Sequence, residues 1–136
     1  MRILALDLGM RRIGLAISDE DGKLAGPLDT LEARGLRQDV RAVAALAEAH
    51  GVELVVVGLP LLTSGREGHG ARRARRFAEE LARTWNGRVE TWDERLTSVA
   101  AERVLLEADL SRRKRRMVRD RVAATLILQS FLDAQR

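Results

Sequence analysis

The chain has 136 residues, of which 46% are hydrophobic and 3% aromatic, and its formal net charge is +4. This length fits a single domain over residues 1–136 with an aliphatic core, and it argues against two domains. The absence of cysteine excludes disulfides, thiolate metal sites and cysteine nucleophiles. The apolar start is too short for a signal peptide and no apolar run reaches about 20 residues, so a cytoplasmic protein without a membrane segment is expected.

The first part of the chain has the pattern of an antiparallel meander. The runs RILALDL and IGLAIS are apolar, have the length of strands and are separated by a short glycine-containing turn. Asp21-Gly22 is typical of a second hairpin turn, and a weaker third strand is expected from about Lys23 to Thr30.

The rest of the chain alternates between strand and helix patterns. The runs ELVVVGL and RVETW predict two further strands. Apolar residues at helical spacing predict helices over 36–47, 74–85, 101–108 and, after a basic segment, 120–135. This order predicts an α/β fold with a mixed five-stranded sheet, three antiparallel meander strands and then two parallel strands, with helices on both faces.

Carboxylates occur at three positions that are either unusual for a charged residue or favourable for a functional site. Asp7 ends the first strand, and Asp93 and Glu94 end the last one; sites in open α/β sheets form outside the carboxyl ends of strands. Asp120 is expected to open the final helix on the apolar face that it shares with Ala124. If that helix packs across the first strand, Asp7, Asp120 and one of Asp93 or Glu94 share a pocket. A divalent cation bound by oxygen ligands, Mg²⁺ or Mn²⁺, would offset their repulsion.

Each carboxylate also has a simpler interpretation. Asp7 alone is compatible with a turn former, and Asp93 or Glu94 with an ion pair to Arg95 or a place near a helix N-terminus. Asp120 alone is compatible with a charge run at a helix start. Strand alternation puts Asp93 and Glu94 on opposite faces, so only one of them is expected to reach a metal, but alternation does not say which. The joint placement of the three is what favours a metal site.

Two arginine-rich segments, 66–76 and 111–121, indicate a polyanionic partner, because the guanidinium fork matches phosphate. The alternative is an arginine-rich composition on solvated faces. The candidate nucleic-acid-binding residues are Arg11, Arg12, Arg66, Arg72, Arg73, Arg95, Arg112, Arg113, Lys114, Arg115, Arg116 and Arg119.

Four stretches, DLGMRRIGLA, VVGLPLLTSGREG, DERLTS and DRVAATLILQ, together resemble the YqgF family, also called RuvX, of small RNase H-like proteins. The resemblance runs from Asp7 to Gln129. It implies an RNase H-like sheet and an acidic divalent-metal site formed by Asp7, Glu94 and Asp120. Glu94 is preferred to Asp93 because related resolvases use a glutamate at this strand end. The chain departs from the family pattern at three positions, Met10, Leu62 and Ser64.

The resemblance implies a metal-dependent phosphodiesterase, a nuclease with a two-metal site in which Asp7 bridges the ions and Glu94 and Asp120 hold one each. The expected substrate is structured nucleic acid, and the expected role is processing of the 5′ end of pre-16S rRNA. One alternative is a Holliday junction resolvase that acts on branched DNA. A resolvase of this kind would be a homodimer rather than a monomer. The other is a non-catalytic nucleic-acid-binding module. The first strands also resemble the phosphate-binding hairpin of actin-like ATPases and sugar kinases, which need more than twice this length.

Overall fold

The computed structural model describes the backbone of residues 1–96 and 112–135 and the side chains of 1–96 and 122–135. The elements, in chain order, are β1 (Arg2–Leu8), β2 (Arg12–Ser18), β3 (Ala25–Glu32), α1 (Leu36–Ala49), β4 (Val52–Leu59), α2 (His69–Thr84), β5 (Arg88–Asp93), a 3-10 turn (Glu94–Leu96) and α3 (Arg112–Ala134). The helix predicted over 101–108 lies outside the described residues. Within the described ranges, no helix has the length and apolar character that crossing a membrane requires.

The five strands form one mixed sheet in the order β3-β2-β1-β4-β5. β1 and β3 both pair antiparallel with β2, whereas β4 is parallel to β1 and to β5. The predicted arrangement of three antiparallel strands followed by two parallel ones is confirmed. β3 begins at Ala25 and not at Lys23. The carboxylate of Asp19 accepts hydrogen bonds from the backbone N–H of Lys23 and of Leu24 at 2.8 and 3.3 Å, which keeps these two residues in the turn.

The helices cover both faces of the sheet, as predicted. Leu4 and Leu6 of β1 belong to the core cluster formed with α1 and α2. Ile3 and Ala5 alternate with them and belong to the cluster formed with α3. β4 is buried on both faces, which explains its continuous apolar sequence.

Two helices begin earlier than the sequence predicted. α2 begins at His69, and α3 begins at Arg112, so Asp120 lies inside α3 and does not open it. The apolar stripe marks only the part of a helix that packs on the core. Arginine and lysine are good helix formers, and no glycine or proline interrupts 112–134. The basic segment therefore extends the helix.

Candidate functional site

Asp7 is a buried carboxylate near the end of the central strand β1. It is 5% exposed and lies opposite Gly14 of β2. Since Ile3 and Ala5 face α3 and side chains alternate along a strand, Asp7 also faces α3. The strand thus presents this carboxylate at its carboxyl end, on the α3 side of the sheet, as predicted.

The turn after Asp7 is tight and depends on Gly9. The backbone N–H of Gly9 donates to the carbonyl oxygens of Asp7 at 3.1 Å and of Arg12 at 2.9 Å. A β-carbon on residue 9 would lie 2.6 Å from the Arg12 carbonyl oxygen, a distance that no side chain tolerates without a backbone shift. Glycine at this position therefore lets β2 return directly beside Asp7.

Glu94 brings a second carboxylate to the same side of the sheet. Its Oε1 atom lies 2.8 Å from the position of a β-carbon on Gly58, and that position is 3.2 Å from the Leu6 carbonyl oxygen. Gly58 follows Val56, which faces α3, by two residues, so this contact lies on the α3 side. Leu6 pairs with Val57, which puts Asp7 and Gly58 at the same level of neighbouring strands about 4.8 Å apart. The structure therefore brings the Asp7 and Glu94 side chains together.

Asp93, the alternative to Glu94, is engaged by Arg95. The Arg95 guanidinium donates from Nε to Asp93 Oδ1 and Oδ2 at 3.1 and 3.0 Å and from Nη2 to Oδ2 at 2.7 Å. The backbone N–H of Arg95 also donates to Oδ1 at 2.9 Å. The hydrogen bonds from the Arg95 side chain lower the pKa of Asp93, and the same contact raises the pKa of Arg95. Asp93 thus holds Arg95, and Glu94 is the carboxylate that lies on the same side of the sheet as Asp7, next to Gly58.

The direction of α3 places residue 120 near the edge of the sheet at which β1 ends. The Cδ1 atom of Ile127 lies 2.8 Å from the β-carbon position of Gly58, near that edge. Two residues further on, Gln129 accepts a hydrogen bond at 3.1 Å from the N–H of Ala25, which begins β3 and pairs with Ser18 at the opposite edge of the sheet. α3 therefore runs antiparallel to β1, and residue 120 lies two helical turns before Ile127.

The side chain of Asp120, the third predicted ligand, lies outside the described side chains. Among the side chains that are described, no three of His, Cys, Asp and Glu lie close enough to hold a metal ion. Asp7 and Glu94 supply carboxylate oxygens alone, and this donor set fits hard cations such as Mg²⁺ and Mn²⁺ rather than softer metals.

The candidate nucleic-acid-binding residues fall in four places. Arg11 and Arg12 follow the Gly9 turn, and Arg95 stands beside the loop at Gly65, where a β-carbon would lie 3.4 Å from its Nη1 atom. Arg66 belongs to that loop, and Arg72 and Arg73 lie in the first turns of α2. The basic residues from 112 to 119 occupy the first turns of α3, and their side chains lie outside the described part.

Sequence reasoning missed Gly58 and Arg76. Gly58 interrupts the apolar run VELVVVGL, and a glycine inside a strand is a known signal of close approach by another group. Arg76 belongs to the basic segment, but only the structure shows that it lines a cleft with Arg72 and Arg73.

Comparison with known sequences gives one family. The family described as "RuvX: Holliday junction resolvase" matches residues 1–134. A protein of Myxococcus xanthus named "Putative pre-16S rRNA nuclease" is 50% identical over 136 residues, covering 100% of this chain and 90% of its own. A protein of Moorella thermoacetica with the same name is 51% identical over 133 residues, covering 98% and 95%.

Solved structures of low sequence identity share the fold. The structure titled "T. thermophilus RuvC in complex with Holliday junction substrate" superposes with a TM-score of 0.63 at 13% identity, covering 99% of this chain and 96% of that one. The fowlpox virus Holliday junction resolvase superposes with a TM-score of 0.58 at 14% identity over 100% of both chains. These likenesses establish an RNase H-like fold, and the sequence matches show that the chain belongs to the RuvX family.

Proposed function

We propose that this protein is a divalent-metal-dependent nuclease that processes the 5′ end of pre-16S rRNA. The observation that carries the proposal is the pairing of a buried carboxylate, Asp7, with Glu94 at the carboxyl edge of the sheet. Such a pair repels unless a cation or a proton offsets the charge. The names of relatives that share half of the sequence supply the substrate class.

Asp7, Glu94 and Asp120 are the residues that would hold the ions of a two-metal site. The bound ions would supply the activation of a water molecule and the stabilisation of the leaving oxygen. Two glycines support this assignment: Gly9 lets the turn pass next to Asp7, and Gly58 leaves room for Glu94.

Arg95 is the residue that we assign to the phosphate next to the cleaved bond. Three side-chain hydrogen bonds to Asp93 fix its guanidinium, which lies one residue after Glu94. Its Nη1 atom faces the loop at Gly65 and makes none of these three contacts. A contact of this kind positions a strand without reading its sequence. Arg11, Arg12, Arg66 and the basic residues of 112–119 extend the basic surface around it.

A second candidate function is the resolution of Holliday junctions, favoured by the likeness of the fold to RuvC and to the fowlpox virus resolvase. A resolvase cuts two strands symmetrically and needs two active sites related by a two-fold axis. An rRNA nuclease works with one site. Substrate preference and oligomeric state therefore separate the two candidates.

The test is cleavage of a labelled precursor rRNA fragment and of a four-way DNA junction, side by side, in EDTA, Mg²⁺ or Mn²⁺. Wild type is compared with Asp7→Asn and with Asp21→Asn. Asp21 is an exposed turn residue, and its substitution makes the same chemical change away from the site. We expect cleavage that needs metal, prefers the RNA, and is lost in Asp7→Asn but kept in Asp21→Asn.

Symmetric cutting of the junction by a dimer, without cutting of the RNA, would instead identify a resolvase. Binding without cutting in every metal condition would overturn the nuclease proposal and leave a binding module. Full activity in Asp7→Asn would overturn the assignment of the acidic site.

A further inference from the structure

A cleft lies on the other face of the sheet from Asp7, at the same carboxyl edge. It has a volume of about 620 Å³ and is bounded by the β1–β2 turn at Met10, the start of α1 and the first turns of α2. His69, Arg72, Arg73 and Arg76 line its α2 side. Their spacing of three, four and seven residues puts them on one face of the helix.

The arginines of this cleft are available to a ligand. Arg73 is half-buried and fixed from a single atom, since its Nη1 donates to the carbonyl oxygens of Gly9 at 2.6 Å and of Leu8 at 3.4 Å. Its Nε and Nη2 atoms remain as donors. Arg72 and Arg76 are exposed, and neither forms an ion pair with a carboxylate among the described residues.

The cleft has one acidic residue, Asp39, and it is turned to the backbone. Its carboxylate accepts hydrogen bonds from the N–H groups of Arg34 at 3.0 Å and of Gly35 at 3.2 Å, at the start of α1. The cleft thus contains three arginines and one carboxylate, and that carboxylate already accepts hydrogen bonds from the backbone. Phe77 and Leu36 form apolar walls of the cleft. The positive charge therefore lines a concave surface of low polarity, which strengthens the electric field inside it.

We propose that this cleft binds backbone phosphates of the substrate strand at a distance from the cleaved bond. A strand that passes Asp7 and crosses the turn over Met10 and Arg11 reaches Arg72 and Arg76 on the far face. Met10 is 92% exposed at the tip of this turn and borders the cleft. The nuclease then needs a substrate that is long enough to fill both faces. This inference rests on the proposed nuclease function.

The first arm of the test measures binding without cleavage. Affinity for a labelled RNA is measured in EDTA from 50 to 200 mM KCl for wild type, for Arg72→Gln/Arg76→Gln and for Arg83→Gln/Arg88→Gln. The control pair removes the same charge at the other end of α2 and at the start of β5. Each lost phosphate contact lowers the slope of log affinity against log salt by about 0.7 on a single strand and about 0.9 on a duplex. We expect a loss of about 1.4 to 1.8 in the cleft variant and none in the control.

The second arm compares cleavage of a long substrate with that of one trimmed close to the cut site. Wild type should cut the long one with a higher kcat/KM, and the cleft variant should lose this advantage. Equal salt slopes in the cleft variant and the control would overturn the inference while leaving the nuclease intact. Displacement of the RNA by adenosine monophosphate at equal phosphate concentration would also overturn the inference, because this result would identify the cleft as a small-molecule site. If no substrate is cut, the proposed function fails, and the binding arm still decides on the cleft.

Discussion

The carboxylate of Glu94 occupies the space that a side chain at Gly58 would need. Glu94 Oε1 and Ile127 Cδ1 both lie 2.8 Å from the β-carbon position of residue 58. The absence of a side chain at residue 58 leaves room for the Glu94 carboxylate, which follows the end of β5. It also allows α3 to pack closely on the sheet. The acidic site and the helix that carries Asp120 therefore depend on the same glycine.

Gly58→Ala should damage activity more than it damages folding. The new methyl group has to push away both Glu94 and Ile127, and overpacking of this kind costs about 1–3 kcal/mol. We expect cleavage to fall at least tenfold, measured as kcat/KM, with a lower Tm. Gly26→Ala in β3 is the matched control, because its β-carbon would meet nothing closer than the Ile17 carbonyl oxygen at 4.0 Å. Equal activity in the two variants would show that the Glu94 carboxylate has no part in the site.

Glu94→Gln and Asp93→Asn should differ in how they affect cleavage. Glu94→Gln removes the charge of the carboxylate that faces Asp7, and cleavage should fall by about 10²–10³, as for other groups that stabilise charge in the reaction. Asp93→Asn releases Arg95 but leaves Glu94 in place, so we expect about a tenfold loss that appears mainly in KM. The reverse order of the two effects would assign the metal to Asp93.

The sequence predicted the strands and the position of Asp7 well because these depend on local patterns. The apolar runs of β1 and β4 have the length of strands, and each predicts a strand that is buried on both faces. The order of those elements then allows few topologies. Asp7 stands out since no other charged residue interrupts β1 between Arg2 and its end.

The parts that the sequence did not determine depend on contacts between distant residues. Asp93 and Glu94 are neighbours at a strand end, and only the ion pair of Asp93 with Arg95 and the vacancy at Gly58 distinguish their roles. The start of α3 was placed too late because the apolar stripe begins only where the helix reaches the core. The arginine cleft forms from three separate segments, so no single motif carries it.

The ion pair of Asp93 with Arg95 should make a small contribution to stability that depends on pH. The hydrogen bonds from Arg95 lower the pKa of Asp93 below its ordinary value of 3.8. A lowered pKa in the folded state adds stability above the ordinary value, and this stability is lost as the pH falls through the lowered one. Unfolding by urea should therefore distinguish wild type from Asp93→Asn at pH 7 and at pH 5, and the two should converge below pH 3.8. A difference that instead grows on acidification would contradict the pairing.

Ser130 should stabilise both the fold and the position of Glu94. Its hydroxyl accepts a hydrogen bond from Trp92 Nε1 at 3.1 Å and donates to the Leu96 carbonyl oxygen at 3.1 Å, so α3 holds the chain on both sides of Glu94. Ser130→Ala removes both bonds and should cost about 1–2 kcal/mol, seen as a lower Tm.

The control is Ile3→Val, which removes one buried methyl group on the same face and costs about 0.5–1.5 kcal/mol. Ile3 lies at the other end of the strand from Asp7, so this variant should keep its kcat. Ser130→Ala should lose kcat at a temperature where both variants are fully folded, because α3 then no longer holds the chain on either side of Glu94. If the two variants lose stability to a similar extent and keep the same kcat, Ser130 serves the fold alone, and the position of Glu94 is fixed by Gly58 and by the end of β5.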